Sequence, residues 1–126
     1  MKLSQILIEA VASKTKTLGY HITSKRNLPS IMKKGLLVKK PEDYGTDGDI
    51  EGIYFFKTLN DAKNALMNWL GQRIEDIEEQ TGKPYDEICL VVDLTDFKNN
   101  MIDSVEYEWT VVKNIPSSKI IKTLNV

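Results

Sequence analysis

The chain has 126 residues, with 17 Lys and Arg against 18 Asp and Glu, one His and one Cys, for a net charge of -1. Apolar residues make up 41% and charged residues 28%, which excludes a disordered chain and matches a globular domain with a core to bury. Near-neutral charge excludes a bulk electrostatic grip on nucleic acid, and the lone Cys89 excludes a disulfide framework or a Cys-based zinc cluster. No apolar run approaches the roughly 20 residues that span a bilayer, and no secretory signal core stands at the start. The expectation is one soluble, intracellular, monomeric domain over residues 1–126, with no membrane partner and no metal.

Leu3, Ile6, Leu7, Ala10 and Val11 fall at helical spacing and predict an N-terminal helix within residues 1–17. Gly19 breaks that pattern, and residues 18–23 (LGYHIT) read as a strand. Asn27, Pro29 and Gly35 frame a short helix, with a capping side chain, a first-turn proline and a glycine stop. Leu36–Val38 starts another strand. Residues 39–51 (KKPEDYGTDGDIE) form the one long loop, either a solvated connection or a lid facing a substrate. Residues 52–57 (GIYFFK) read as a strand. The apolar stripe Leu59, Ala62, Leu66, Trp69, Leu70, Ile74 and Ile77 predicts one long helix from Thr58 to Gly82. Strands follow at 87–94 (EICLVVDL), 106–113 (EYEWTVVK) and 119–124 (KIIKTL), with a turn-rich connection at 96–103. The order predicts an α+β fold with a mixed or split sheet.

Scans for familiar chemistry return little. The seven glycines never form G-x-G-x-x-G, Gly82-Lys83 lacks the rest of a P-loop, and no G-x-S-x-G elbow accompanies His21. Three segments nonetheless stand out together. The sole histidine lies in a strand as Tyr20-His21-Ile22-Thr23. An aromatic lies in a second strand as Gly52-Ile53-Tyr54-Phe55, and an acid lies in a third as Glu106-Tyr107-Glu108-Trp109. Singly, each has a bland interpretation: a structural His, a core Tyr, a surface Glu.

Jointly and in this order the three resemble the His-Tyr-Glu class of ADP-ribosyltransferases, the family of diphtheria toxin and the poly-ADP-ribose polymerases. The stretch from His21 to Leu36 (HITSKRNLPSIMKKGL) is similar to that family's His, Ser/Thr, Asn and Gly-Leu at matching spacing. Gly52 to Ala62 resembles its G-I-Y-F strand and following helix. The resemblance implies an ADP-ribosyltransferase-like fold with a split mixed sheet, one long helix and NAD as substrate. It implies Glu108 for the developing charge on the ribose and its 2′-OH, and Tyr54 for stacking on nicotinamide. It implies His21 for the other ribose, Thr23 for holding the His or the amide, and the Ile22 backbone for the nicotinamide amide. Glu106, two residues before Glu108, would receive the acceptor from the same strand face. Many members carry Arg just after Gly-Leu to meet the phosphates. Here Leu37 stands there, so Lys39 or Lys40 would substitute, and a second nicotinamide-facing aromatic has no clear counterpart in the helix after Tyr54.

The first ten residues (MKLSQILIEA) resemble the capsid-targeting peptides of T-even-type phage internal proteins, which are cut after a Glu. That resemblance implies removal of residues 1–9 and delivery from the virion into the host cytoplasm. The expected activity is transfer of ADP-ribose from NAD to a macromolecule, protein rather than DNA or RNA. The alternatives are NAD hydrolysis, or an inactive binding module acting through the acidic loop Pro41 to Glu51.

Overall fold

Runs of β-branched and aromatic residues build six strands: β1 (Leu18–Ser24), β2 (Ile53–Phe56), β3 (Glu87–Asp93), β4 (Met101–Val105), β5 (Glu108–Val111) and β6 (Ile120–Asn125). The structure is a computed structural model that describes residues 16–39 and 51–126. The expectations for the N-terminal helix, for a targeting peptide at 1–9 and for loop residues 40–50 lie outside the described residues. The strands order as β4-β5-β2-β1-β3-β6. Every neighbouring pair is antiparallel, so the α+β class holds but the sheet is not mixed. The reason is topological. The helical connection from β2 leaves β3 running the same way as β2, and β1 lies between them, antiparallel to both.

The sheet is unevenly knit. β1 pairs with β3 from Leu18↔Asp93 to Ser24↔Glu87. It meets β2 at one registered pair, Tyr20↔Phe56. Past that pair, towards Ser24, the seam between β1 and β2 opens. Two three-stranded halves, β4-β5-β2 and β1-β3-β6, flank it.

Strand alternation sorts the side chains onto two faces. Ile53, Phe55, Leu90, Val92 and Val111 form the main core on one face. His21 shares that face, since it pairs with Leu90 across the strands and its ring lies 5.5 Å from Phe55. The helix α1 (Leu28–Lys34) covers part of this face through Leu28 and Ile31. Phe56 turns to the opposite face with Tyr20 and Ile22, where it packs against Ala62, Ala65 and Leu70. Those last residues belong to α2 (Leu59–Leu66) and α3 (Trp69–Thr81).

The single long helix expected over 58–82 is thus two helices. The break falls at Met67 and Asn68. Asn68 leaves helical geometry at φ -130° and ψ -120°, and its Nδ2 donates to the Asn64 carbonyl at 2.8 Å. A short amide side chain that competes for backbone groups disfavours helix continuation. Gly71 permits the refolding that follows, because a Cβ there would collide with the Leu66 carbonyl oxygen. Gly71→Ala should therefore cost about 1–3 kcal/mol through forced backbone displacement. A urea titration of the variant against the parent chain checks this.

Other local expectations also shift. Asn27 does not cap α1 with its side chain; its Nδ2 donates to Thr23 Oγ1 at 3.1 Å instead. Ser24 performs the capping one turn earlier, at the short 3-10 turn Lys25–Asn27, where its Oγ accepts from the Arg26 N–H at 3.4 Å. Leu36–Val38 is not a strand. Leu36 and Lys39 make isolated bridges to Ile115 and Gly52. Gly35 precedes them at φ 82°, where a side chain would strain the backbone and strike Ile115. The 96–103 connection contains a 3-10 turn (Thr95–Asn100) and most of β4. No helix among the described residues is long and apolar enough to cross a membrane.

Candidate functional site

The open seam between β1 and β2 is where the two faces communicate. One cavity of about 150 Å³ lies on the α1 side and is lined by residues that include His21, Thr23, Asn27, Leu36, Lys39 and Ile53. A second, of about 140 Å³, lies on the α3 side and is lined by residues that include His21, Thr23, Asn27, Lys39, Tyr54 and Glu108. Four residues line both: His21, Thr23, Asn27 and Lys39. The single registered pair between β1 and β2 lets His21 and Thr23 reach both sides, and Asn27 and Lys39 join them from beyond the strands.

Each member arrives by a simple rule. Tyr54 alternates with the core residues Ile53 and Phe55, so its side chain leaves the core face. Glu108 opens β5 opposite Phe56 and shares the Phe56 face. Thr23 lies two residues after His21 on β1, so it repeats the His21 orientation along the seam. Ile22 lies between them on the other face, and it too lines the second cavity. The predicted His21, Ile22, Thr23, Lys39, Tyr54 and Glu108 therefore come together around that cavity.

Glu106 does not join them. With Tyr107 it forms the two-residue turn between Val105 and Glu108, which pair across the β4–β5 hairpin. It is exposed and is not among the cavity-lining residues. The shared strand face assumed for Glu106 and Glu108 requires β5 to begin earlier than it does. Lys40 lies outside the described residues.

His21 carries the most informative electrostatics. Its side chain is 7% exposed, and its Nδ1 lies 2.8 Å from the Tyr54 carbonyl oxygen across the seam. A carbonyl oxygen only accepts, so Nδ1–H is the donor and Nε2 keeps its lone pair. Burial lowers the pKa to about 4, against the raising effect of the Tyr54 bond, and the Lys39 charge lowers it further. At neutral pH the ring is uncharged, with one edge locked to β2 and the other an acceptor. Such a group receives a hydrogen bond from a hydroxyl and does not serve as a general acid.

That pKa has a stability consequence. Between the folded value of about 4 and the usual 6.5, the unfolded chain binds the extra proton. The stability from neutral His21 is complete above about pH 6.5 and drains away as pH falls towards 4. From pH 7 to 4.5 the loss should be about 2–3 kcal/mol. His21→Asn keeps an N–H for the Tyr54 carbonyl but does not titrate. Its urea midpoint should fall less than the parent's over the same interval.

Sequence inspection missed several lining residues, among them the polar Arg73 and Tyr85. Arg73 lies on α3, whose apolar stripe hides a polar position turned to the cavity. Tyr85 is held by its neighbours: its N–H bonds Glu78 Oε2 at 3.0 Å, and its carbonyl accepts from Ser24 Oγ. Burial, then the nearby Glu87, pushes its phenol pKa up, so it stays neutral. Phe56, another lining residue, contacts Trp69 and Tyr107, with ring centroids at 6.1 and 6.3 Å. Trp69 and Tyr107 are partly exposed, at 45% and 40%.

Among the described residues no group of three or more His, Cys, Asp or Glu could hold a metal ion. Cys89 is buried on β3, and burial raises its thiol pKa to about 11, so it is unsuited as a nucleophile. Chemically, the seam offers a hydroxyl-accepting imidazole, aromatic surfaces, one carboxylate and two cations around a trough that crosses the sheet. No known protein family and no curated protein matches the chain.

Proposed function

We propose that this chain is a mono-ADP-ribosyltransferase with an ADP-ribosyltransferase-like fold, which takes ADP-ribose from NAD and transfers it to a macromolecular acceptor. The single observation that carries the proposal is the shared cavity of His21, Tyr54 and Glu108, three residues far apart in sequence. The split between the sheet halves supports it, because a dinucleotide needs an extended site and the two adjoining cavities supply one.

The residues have complementary tasks. Tyr54 offers a flat surface to the nicotinamide ring. Breaking the ribose–nicotinamide bond builds positive charge on the ribose, and the Glu108 carboxylate stabilises that charge and orients the 2′-OH. His21, neutral and protonated on Nδ1, accepts a hydroxyl hydrogen bond from the other ribose at Nε2. The Ile22 backbone meets the nicotinamide amide, and Thr23 orients its neighbours. Lys39, common to both cavities, attracts the diphosphate.

Incubation of the full chain with adenylate-labelled NAD and cell lysate tests the proposal. Label on macromolecules is the expected result. Free ADP-ribose alone would make the chain an NAD hydrolase, and neither product would overturn the proposal.

A further inference from the structure

Glu108 stands where its hairpin is irregular. β4 takes three steps from Ile102 to Val105 while β5 takes two from Thr110 to Glu108, so β4 carries one extra residue opposite Trp109. A bulge of this kind interrupts the ladder, increases the twist and re-aims the side chains beside it. The Glu106-Tyr107 turn adjoins it on the other side. Glu108 thus lies between a tight turn and a broken stretch of ladder, and the direction of its carboxylate depends on what steadies both.

Lys57 grips both. β2 pairs Phe55 with Trp109 and Phe56 with Glu108, and the Lys57 N–H adds the next rung by donating to the Tyr107 carbonyl at 3.0 Å. Phe55 and Trp109 pack on the main-core face, and Lys57, two residues after Phe55, keeps to it. Its ammonium lies 5.6 Å from the centre of the Trp109 ring and donates to Asp103 Oδ1, in the bulge. The main chain of Lys57 therefore holds the residue before Glu108, and its side chain holds the residue after it and the strand across from it. Glu108 itself projects from the opposite face, into the second cavity, whereas Lys57 lines neither cavity. Asp103 is 71% exposed, so the ion pair alone is weak, but the Lys57 side chain is only 21% exposed and shares its charge with the Trp109 ring.

We infer that Lys57 is a positioning residue for Glu108: its side chain pins the β4–β5 hairpin from the core face and so fixes where the carboxylate stands in the second cavity, a role that rests on the transferase proposal above. A carboxylate that stabilises a transient charge on the ribose acts only where it meets that charge, and a small displacement costs rate more than it costs NAD affinity.

The full chain is compared with Lys57→Met, Lys57→Arg and Asp103→Asn. The readouts are turnover of adenylate-labelled NAD at saturation, NAD affinity by calorimetry, and backbone hydrogen exchange over residues 101–111. Lys57→Met keeps the stem and the backbone rung, and Tyr107 still stacks on Phe56 from the opposite face, so the hairpin stays attached. Turnover should fall about fivefold, with NAD affinity little changed and with faster exchange confined to the hairpin. Lys57→Arg keeps the charge over Trp109 and the partner for Asp103, and it should restore turnover. Asp103→Asn should fall between Lys57→Met and the parent chain. A packing role for the stem predicts the reverse, since Met fills its space better than Arg does. Unchanged turnover in Lys57→Met, equal losses of affinity and turnover, or Lys57→Arg no better than Lys57→Met would overturn the inference. Unchanged exchange in Lys57→Met would overturn the positioning role whatever the parent chain does with NAD. A parent chain that neither binds nor cleaves NAD would instead overturn the transferase proposal, and the catalytic consequence with it.

Discussion

Glu108→Gln should reduce ADP-ribose transfer by about a hundredfold or more while the chain stays folded. Gln has nearly the same size and keeps a hydrogen-bonding end, so the start of β5 and its pairing with Phe56 persist. What disappears is the negative charge. A neutral amide still orients a hydroxyl, but it stabilises a developing oxocarbenium ion far less than a carboxylate does. The effect should therefore appear in turnover more than in NAD affinity. Initial rates with labelled NAD, beside a calorimetric NAD titration, separate the two. Equal losses in both would assign Glu108 to binding rather than to the charged step.

Phe55→Ala should cost about 3–5 kcal/mol of stability. Phe55 is fully buried on β2 at 0% exposure, inside the main core with Leu90, Val92 and Val111. Domains commonly have only about 5–15 kcal/mol in total, so the variant stands near the edge of folding. Its ring also walls His21 at 5.5 Å. Removing it opens the burial that keeps the imidazole neutral, and the His21 pKa should move back towards 6.5. Urea unfolding measures the first effect, and an NMR titration of the sole histidine measures the second. Phe55→Leu, which keeps most of the volume, should cost much less.

Much of the sheet was legible in the residues themselves. β1, β2, β3 and β6 are continuous apolar or alternating runs, and the expected ranges match the observed ones to within about two residues, the usual scatter of boundaries. The three principal candidate residues, His21, Tyr54 and Glu108, could be picked out because they lie in β1, β2 and the expected 106–113 strand, next to recognisable neighbours. The rest was hidden for physical reasons. β4 (Met101–Val105) contains Asp103 and Ser104 and borders a turn-rich stretch, so its strand character comes from pairing with β5 rather than from propensity. The break between α2 and α3 interrupts an apolar stripe that runs through it unbroken. It depends on Asn68 bonding Asn64 and on Gly71 passing the Leu66 carbonyl, contacts that periodicity does not encode.

The site shows the same division. Glu106 and Glu108 look equivalent by spacing, yet a two-residue turn separates them in space. Arg73 lies at helical spacing among Leu70, Ile74 and Ile77, which line the same cavity, so it is a charged position inside an apolar stripe. Asn27 has the composition of a cap, but Thr23 claims its side chain, and that bond links two residues that line both cavities. Residue type announces what a side chain is able to do. The seam decides which of them meet.

The most direct measurement is a calorimetric titration of the full chain with NAD, repeated on Tyr54→Ala and His21→Ala. Saturable one-site binding in the parent chain, markedly weakened in both variants, is the predicted result. No binding heat in a folded parent chain, or binding indifferent to both substitutions, would contradict a dinucleotide site at the seam.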